Sequence, residues 1–206
     1  MSGAKKDTKH RPPGAGKQRT ISQLKVTLQG IRPPVWRRIL VQSDVTLAQL
    51  HIILQMVFGW TESHLHQFVA DGLSYGVRSP DDEWEVIDEK KVRLNRLLRT
   101  PGDRMLYEYD FGDGWEHLIA LEKIEAPLPN GKYPMVLAGR RARPPEDVGG
   151  TGGYEEFLKA IGDPNHPEHE SYLEWCGRSF DPEKFDTLEI NRLFHGGWHP
   201  RKESGN

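Results

Sequence analysis

His64 and His66 stand two residues apart in Ser63-His64-Leu65-His66-Gln67-Phe68-Val69, a stretch whose alternation predicts a β-strand. Side chains at i and i+2 of a strand project to one face, so both imidazoles fall within reach of one divalent metal ion. Two histidines do not complete a site; a third ligand has to arrive from elsewhere. The stretch Leu106 to Leu121, Leu-Tyr-Glu-Tyr-Asp-Phe-Gly-Asp-Gly-Trp-Glu-His-Leu-Ile-Ala-Leu, supplies the candidates Asp110, Asp113 and His117. It reads as two strands joined at Asp113-Gly114, the short-range signature of a tight hairpin. With a two-residue loop, Asp110 faces His117 across the strands. Such a pair serves equally as general base, as outer partner of a metal ligand, or as a structural ion pair. The same register puts Tyr107, Tyr109 and Phe111 on the core face with Leu118 and Ala120. Trp115, His117, Ile119 and Leu121 then lie opposite, and a longer loop would reverse that parity. Without a third ligand, half-buried histidines hydrogen-bonded to neighbouring strands are the plainer reading.

Other residues suggest recognition of anions. Trp36 with Arg37 and Arg38 offers an aromatic platform beside a guanidinium clamp for phosphate or carboxylate; a core tryptophan flanked by solvated arginines is the simpler alternative. Arg140, Arg141 and Arg143 precede Glu146 and Asp147 in a loop able either to pair internally or to hold an anion. Gly149, Gly150, Gly152 and Gly153 imitate a phosphate-cradling loop only superficially, because no Gly-Lys-Ser/Thr ending follows. His166, His169 and Glu170 read as an exposed helix start, and His51 as a packed or surface histidine.

These residues need a scaffold. Ile21–Leu28 reads as a strand with Leu24, Val26 and Leu28 on one face, and Val35–Val41 as its partner, with Pro34 marking an edge. Asp44 or Thr46 caps a helix reaching Phe58, with Gly59 as its stop. Asp71 to Asp88 reads as a solvated, turn-dense loop, Val92 to Leu98 as a strand end entering a short helix. The last quarter is helical, with helices at Tyr154–Ile161 and from Pro167 to Trp175 and a further apolar region after Asp181-Pro182. The whole predicts an α+β domain, an antiparallel β-sheet with a central hairpin packed against helices and a helical C-terminal region. Its expected limits are residues 21–194, between a disordered basic tail at 1–20 and a frayed C-terminal tail at 195–206.

The bulk numbers narrow the function classes. At 206 residues the chain is long enough for a real core, and one cysteine, Cys176, excludes an intrachain disulfide and a thiolate zinc cluster. No apolar run is long enough to span a membrane, and a cytoplasmic location is expected. The net charge of -2 hides a tail in which six basic residues stand against Asp7. Such an arm solubilises or holds nucleic acid through phosphates; the acidic remainder gives non-specific nucleic-acid binding no support.

Several segments together carry a resemblance. They are Leu24-Lys25-Val26-Thr27-Leu28 with Pro33-Pro34-Val35-Trp36-Arg37-Arg38, Thr46-Leu47-Ala48-Gln49-Leu50-His51, Gly59-Trp60 with Ser63-His64-Leu65-His66, Tyr107 through His117, and Pro144-Pro145-Glu146-Asp147-Val148-Gly149-Gly150 with Gly153-Tyr154. In unbroken order over residues 21–194 the chain resembles the plasmid pRiA open-reading-frame-three-like (pRiA ORF-three-like) family, some of whose members are labelled resolvase-like passenger proteins of insertion elements. The resemblance implies an α+β fold and an antiparallel sheet; it implies no particular activity or catalytic residue. Many relatives place a cysteine where this chain has Arg143, which argues against thiol chemistry in that loop. The sequence therefore points first to a non-enzymatic binding or accessory module, linked through that label to mobile genetic elements. Its candidate binding residues are Trp36, Arg37, Arg38, Trp115, Arg140, Arg141, Glu146 and Asp147. That reading needs no cofactor, and its partner is left open between protein and nucleic acid, with no membrane. One alternative is a divalent-metal-dependent hydrolase or nuclease, His64 and His66 binding the ion with Asp110 or Asp113 and His117 acting as base. Another is nucleic-acid binding through the basic arm.

Overall fold

Alternating apolar residues seat the first strand in the middle of a sheet. In the computed structural model, which describes residues 19–77 and 86–196, eight strands form one sheet: β1 (Ile21–Leu28), β2 (Trp36–Gln42), β3 (His66–Ala70), β4 (Leu73–Gly76), β5 (Val86–Asp88), β6 (Arg104–Tyr109), β7 (Trp115–Glu125) and β8 (Met135–Arg140). Their order is β5-β4-β3-β6-β7-β1-β2-β8, and every neighbouring pair is antiparallel except β4 with β5. With helices α1 (Leu47–Phe58), α2 (Leu94–Leu97), α3 (Gly150–Gly162), α4 (His169–Trp175) and α5 (Thr187–His195), the fold is α+β with a helical C-terminal region. The expected basic arm up to residue 18, the acidic run at 81–85 and the tail from residue 197 lie outside the described residues.

One face of the sheet is core. Leu24 and Val26 of β1, Ile39 and Val41 of β2, Phe68 of β3 and Tyr107 of β6 are all buried there. Helix α1 lays Leu47, Leu50, Leu54 and Val57 on the same cluster. Thr46 caps it through a reciprocal capping box with Gln49, and Gly59 stops it at φ 84°, a left-handed value that suits glycine. The other face is half-exposed and polar, with Arg38 gripping Glu122 through Nε and Nη2 at 2.7 and 2.8 Å.

The central hairpin departs from the expected register. Tyr107 pairs with His117 and Tyr109 with Trp115, so residues 110–114 form a five-residue loop in place of a two-residue turn. Asp110 is the cause. It adopts φ 57°, its carbonyl accepts from Gly114 N at 2.6 Å, and its own Oδ1 accepts from Gly112 N and Asp113 N at 3.0 and 3.3 Å. An aspartate that hydrogen-bonds the backbone just ahead competes with the Asp-Gly turn and starts the loop earlier. The pairing slips by an odd number of residues, which exchanges the faces. Trp115, His117, Ile119 and Leu121 turn inward beside Tyr107 and Tyr109; Leu118 and Ala120 face the half-exposed side, and Phe111 is 49% exposed at the loop. Asp110 and His117 are therefore not cross-strand partners.

Three further expectations are corrected. Pro34 does not mark an edge: it precedes β2, which lies inside the sheet between β1 and β8. The segment 71–88 is not one long loop, since β4 and β5 extend the sheet within it. Helix α3 begins at Gly150, ahead of Tyr154, because its glycine-rich start docks on the hairpin loop. Gly149 N donates to Asp113 Oδ2 at 3.1 Å, and Gly150, at φ 67°, lies so close that an added Cβ would sit 2.5 Å from the Asp113 carbonyl oxygen. Gly150→Ala is expected to cost about 1–3 kcal/mol in urea unfolding. Gly152→Ala, whose added Cβ meets nothing within 4 Å, is expected to be neutral or to stabilise by roughly 0.5–1 kcal/mol.

Candidate metal centre

Three connections converge where α1 ends. The chain leaving Gly59 buries Trp60, whose Nε1 donates to His117 Nε2 at 3.2 Å, and runs through Thr61, Glu62 and Ser63 to His64. The hairpin loop is tied to the start of β3 by Asp110 N donating to Leu65 O at 2.9 Å. The third connection, after β8, is held by Arg143, which lies over the Trp60 ring at 4.8 Å and donates from Nε to Gly59 O at 2.8 Å. That places Glu146 and Asp147 against the first two.

His64 Nε2 is the meeting point. Asp147 Oδ1 lies 3.0 Å from it, Asp110 Oδ2 3.6 Å and Glu146 Oε2 4.0 Å. Ligating atoms of His64, Asp110 and Asp147 all lie within 4.8 Å of one another. Each inner carboxylate divides its two oxygens between scaffold and centre. Asp110 uses Oδ1 for its own loop and turns Oδ2 to His64. Glu146 Oε1 accepts from Thr61 N, Thr61 Oγ1 and Tyr109 Oη at 2.8, 3.0 and 3.4 Å, while Oε2 is buried with no hydrogen-bond partner. Tyr109 in turn accepts from Ser63 N at 3.2 Å; burial, with the Glu146 charge adding to it, raises its phenol above the ordinary value. The cluster assembles one imidazole nitrogen and three carboxylates around a point that calls for positive charge. This mixed nitrogen and oxygen set suits a divalent transition ion such as Zn2+ or Mn2+.

The remaining candidate residues are engaged elsewhere. His66 shares a face with His64, yet its Nε2 is 2.9 Å from Glu89 Oε2 and its ring stacks on His51 at 3.5 Å. His51 Nδ1 meets Tyr107 Oη at 2.8 Å. Asp113 holds the start of α3. His117 is fully buried: Nε2 accepts from Trp60, so Nδ1 carries the proton and faces the carbonyls of Trp115 and Tyr107 at 3.0 and 3.2 Å. Trp115 is core. Trp36 is half-buried with Lys25 and Arg38 each 5.4 Å from its ring, and Arg141 Nε lies 2.7 Å from Glu183, with Arg140 at 3.8 Å from the same residue. Arg37 reverses the expectation of a core tryptophan between solvated arginines, being itself 2% exposed; burial pulls its guanidinium down to about 9. Among the described residues, Arg37, Arg38, Arg140 and Arg141 form no joint clamp.

The spacing in the sequence joins His64 to His66 with Asp110 or Asp113 as third ligand; in the structure Asp110 does lie beside His64, His66 and Asp113 do not join it, and Glu146 and Asp147 arrive from the loop suggested for binding. Sequence reasoning also passed over Glu89, buried despite its place in Asp88-Glu89-Lys90-Lys91, and Tyr109 as a polar participant. Only the phenol of Tyr109 offered a local hint, since a buried hydroxyl needs a partner.

A family model described as plasmid pRiA4b ORF-3-like protein matches residues 20–189. The chain is 41% identical over 177 residues to uncharacterized protein y4hQ of Sinorhizobium fredii, an alignment covering 84% of this chain and 90% of that protein. Its fold is similar to the crystal structure of a protein of unknown function, MM3350, from Methanosarcina mazei Go1, with a TM-score of 0.76 and 37% identity over 84% of this chain and 98% of that one. No helix among the described residues is long and apolar enough to cross a membrane.

Burial holds the His117 imidazole down to about 4 against its ordinary 6.5, and burial with the neighbouring His66 holds His51 down to about 3. Both are neutral in the folded chain, whereas the unfolded chain protonates them near their ordinary value. The unfolded state thus binds more protons below pH 6.5, and stability falls with pH from there until the folded imidazoles titrate in turn. Urea unfolding is expected to show a loss of about 2 kcal/mol from His117 between roughly pH 7 and 5, and His117→Gln is expected to flatten that slope.

Proposed function

Because the chain belongs to the plasmid pRiA4b ORF-3-like family, a name that states no activity, we propose its function from the site itself: it binds a divalent transition-metal ion through His64, Asp110 and Asp147, with Glu146 as a further donor. The observation that carries this reading is the convergence of three carboxylates from two loops on His64 Nε2, one of them with its inner oxygen buried and unpaired. Burying carboxylate oxygens without donors is costly, and a cation between them removes that cost. The ion would fasten the hairpin loop and the 143–147 loop to the start of β3, as suits a binding or accessory module that presents those loops to a partner.

A hydrolytic use of the same ion is a second reading. It is favoured by a cavity of about 760 Å³ on which His64 opens, lined also by His51, Glu62, His66 and Phe111. There the ion would lower the pKa of a bound water, and Glu62, in the wall of the same cavity, is the carboxylate that would take its proton.

Elemental analysis of the protein purified without chelator is expected to find about one Zn2+ or Mn2+ per chain. Adding the ion at about 100 times its Kd should stabilise the chelator-treated protein by about 2.7 kcal/mol. His64→Ala and Asp147→Ala should abolish that gain, and His66→Ala and Asp113→Ala should retain it. Absence of metal together with absence of any stabilisation would leave His64 as a structural neighbour of these carboxylates and remove the proposal.

A further inference from the structure

On the other side of Glu146 from this centre, the last turn of α1, residues 142–146 and the helices α4 and α5 border an open pocket of about 630 Å³ with Arg37 in its wall, a volume in the range of small-molecule sites. Phe58, Trp175, Phe180, Phe185, Ile190 and Leu193 supply an apolar lining. Arg37 is the anomaly. Its Nε donates to Val57 O at 3.2 Å, and its Nη1 to Trp36 O and Arg140 O, each at 2.9 Å. The rings of Phe58 and Phe185 lie 4.9 and 4.4 Å from the guanidinium carbon. Nη2 has no hydrogen bond, and no carboxylate lies within 4.0 Å among the described residues.

The other arginines of these two segments are treated differently. Arg38 has Glu122 at 2.7 Å, and Arg141, almost as buried as Arg37, has Glu183 at 2.7 Å. The acids of the pocket wall do not fill the gap. Asp186 caps α5 by accepting from Leu188 N and Glu189 N, Glu146 is directed at Thr61 and His64, and Glu189 is exposed like Lys184. Arg143, half-buried in the same wall, has no carboxylate within 4.0 Å among the described residues, although the charge of Glu146 acts on it. At Arg37, carbonyls and ring faces hold Nε and Nη1 of the buried guanidinium, leave Nη2 over and supply no opposite charge.

We infer that this pocket binds a small organic monocarboxylate with an apolar tail, the carboxylate paired with Arg37 beside Arg143 and the tail lying among the aromatic and aliphatic side chains of α4 and α5. Nη2, the nitrogen that the carbonyls of Val57, Trp36 and Arg140 leave over, would give one carboxylate oxygen a charge-assisted hydrogen bond. The inference does not rest on the metal centre.

Isothermal titration calorimetry with octanoate and with octan-1-ol tests it, with the fluorescence of Trp175 in the pocket wall as a second signal. Octanoate is expected to bind at least about tenfold more tightly than the alcohol, the factor that a charged hydrogen bond supplies, and equally well with and without chelator. Ile190→Trp, which fills the pocket and leaves Arg37 in place, should abolish binding; Arg143→Gln should weaken it severalfold. Equal affinity for acid and alcohol, or no binding of octanoate, would overturn the proposal and leave Arg37 as a strut between α1 and β8. Octanoate binding lost on chelation or in His64→Ala would place the carboxylate on the ion and overturn it equally, whereas octanoate binding with no metal bound would separate this pocket from the reading of the metal centre.

Discussion

The Asp110 carboxylate is the constraint on which the candidate centre depends. One of its oxygens gathers the amides of Gly112 and Asp113 and so decides where the hairpin loop begins; the other is left facing His64. Local turn chemistry thereby sets a global property, because the starting point of the loop decides which side chains of β7 enter the core. Had the turn formed at Asp113-Gly114 alone, Trp115 and His117 would face out, and Trp60 would lose the acceptor that fixes it under Arg143. The centre and the core beneath it share one choice of register.

Elements with strong periodicity were legible from composition and spacing. Strand β1, helix α1 with its Thr46 cap and Gly59 stop, and the α+β class all follow from apolar positions recurring at two or at three to four residues. What escaped was non-local. The register of Asp110 and His117 is the local exception: the Asp-Gly pair is a strong hairpin signal, and it masks the equally local capacity of Asp110 to bind the amides just ahead of it. His64 and His66 share the face that a strand demands, yet His66 is drawn away by Glu89, a residue whose charged neighbours hide its burial. Glu146 and Asp147 reach His64 because Arg143 docks their loop on Gly59 and Trp60 and Glu146 grips Thr61, contacts between segments more than 80 residues apart in sequence.

Buried polar groups in this protein are settled in contrasting ways. His117 and His51 give up charge: each sits neutral between hydrogen-bond partners, and His51 shares its ring face with His66. Arg141 keeps its charge beside a carboxylate, and Arg37 beside carbonyls and rings alone. The apolar face of the sheet is therefore interrupted by polar groups on both sides of α1, with histidines toward β3 and an arginine toward β8, and both cavities open along these interruptions.

At the outer edge of the sheet, Asn191 of α5 accepts from Val136 N at 2.8 Å and donates to Val136 O at 2.9 Å. A single amide side chain thus occupies the place that a further strand would take on β8. An open strand edge is a template for unwanted pairing between chains. One helical asparagine there covers the edge of β8 at Val136 and gives α5 a fixed address on the sheet, so the helix that walls one of the cavities also takes up a backbone pairing site that an open edge would offer to another chain.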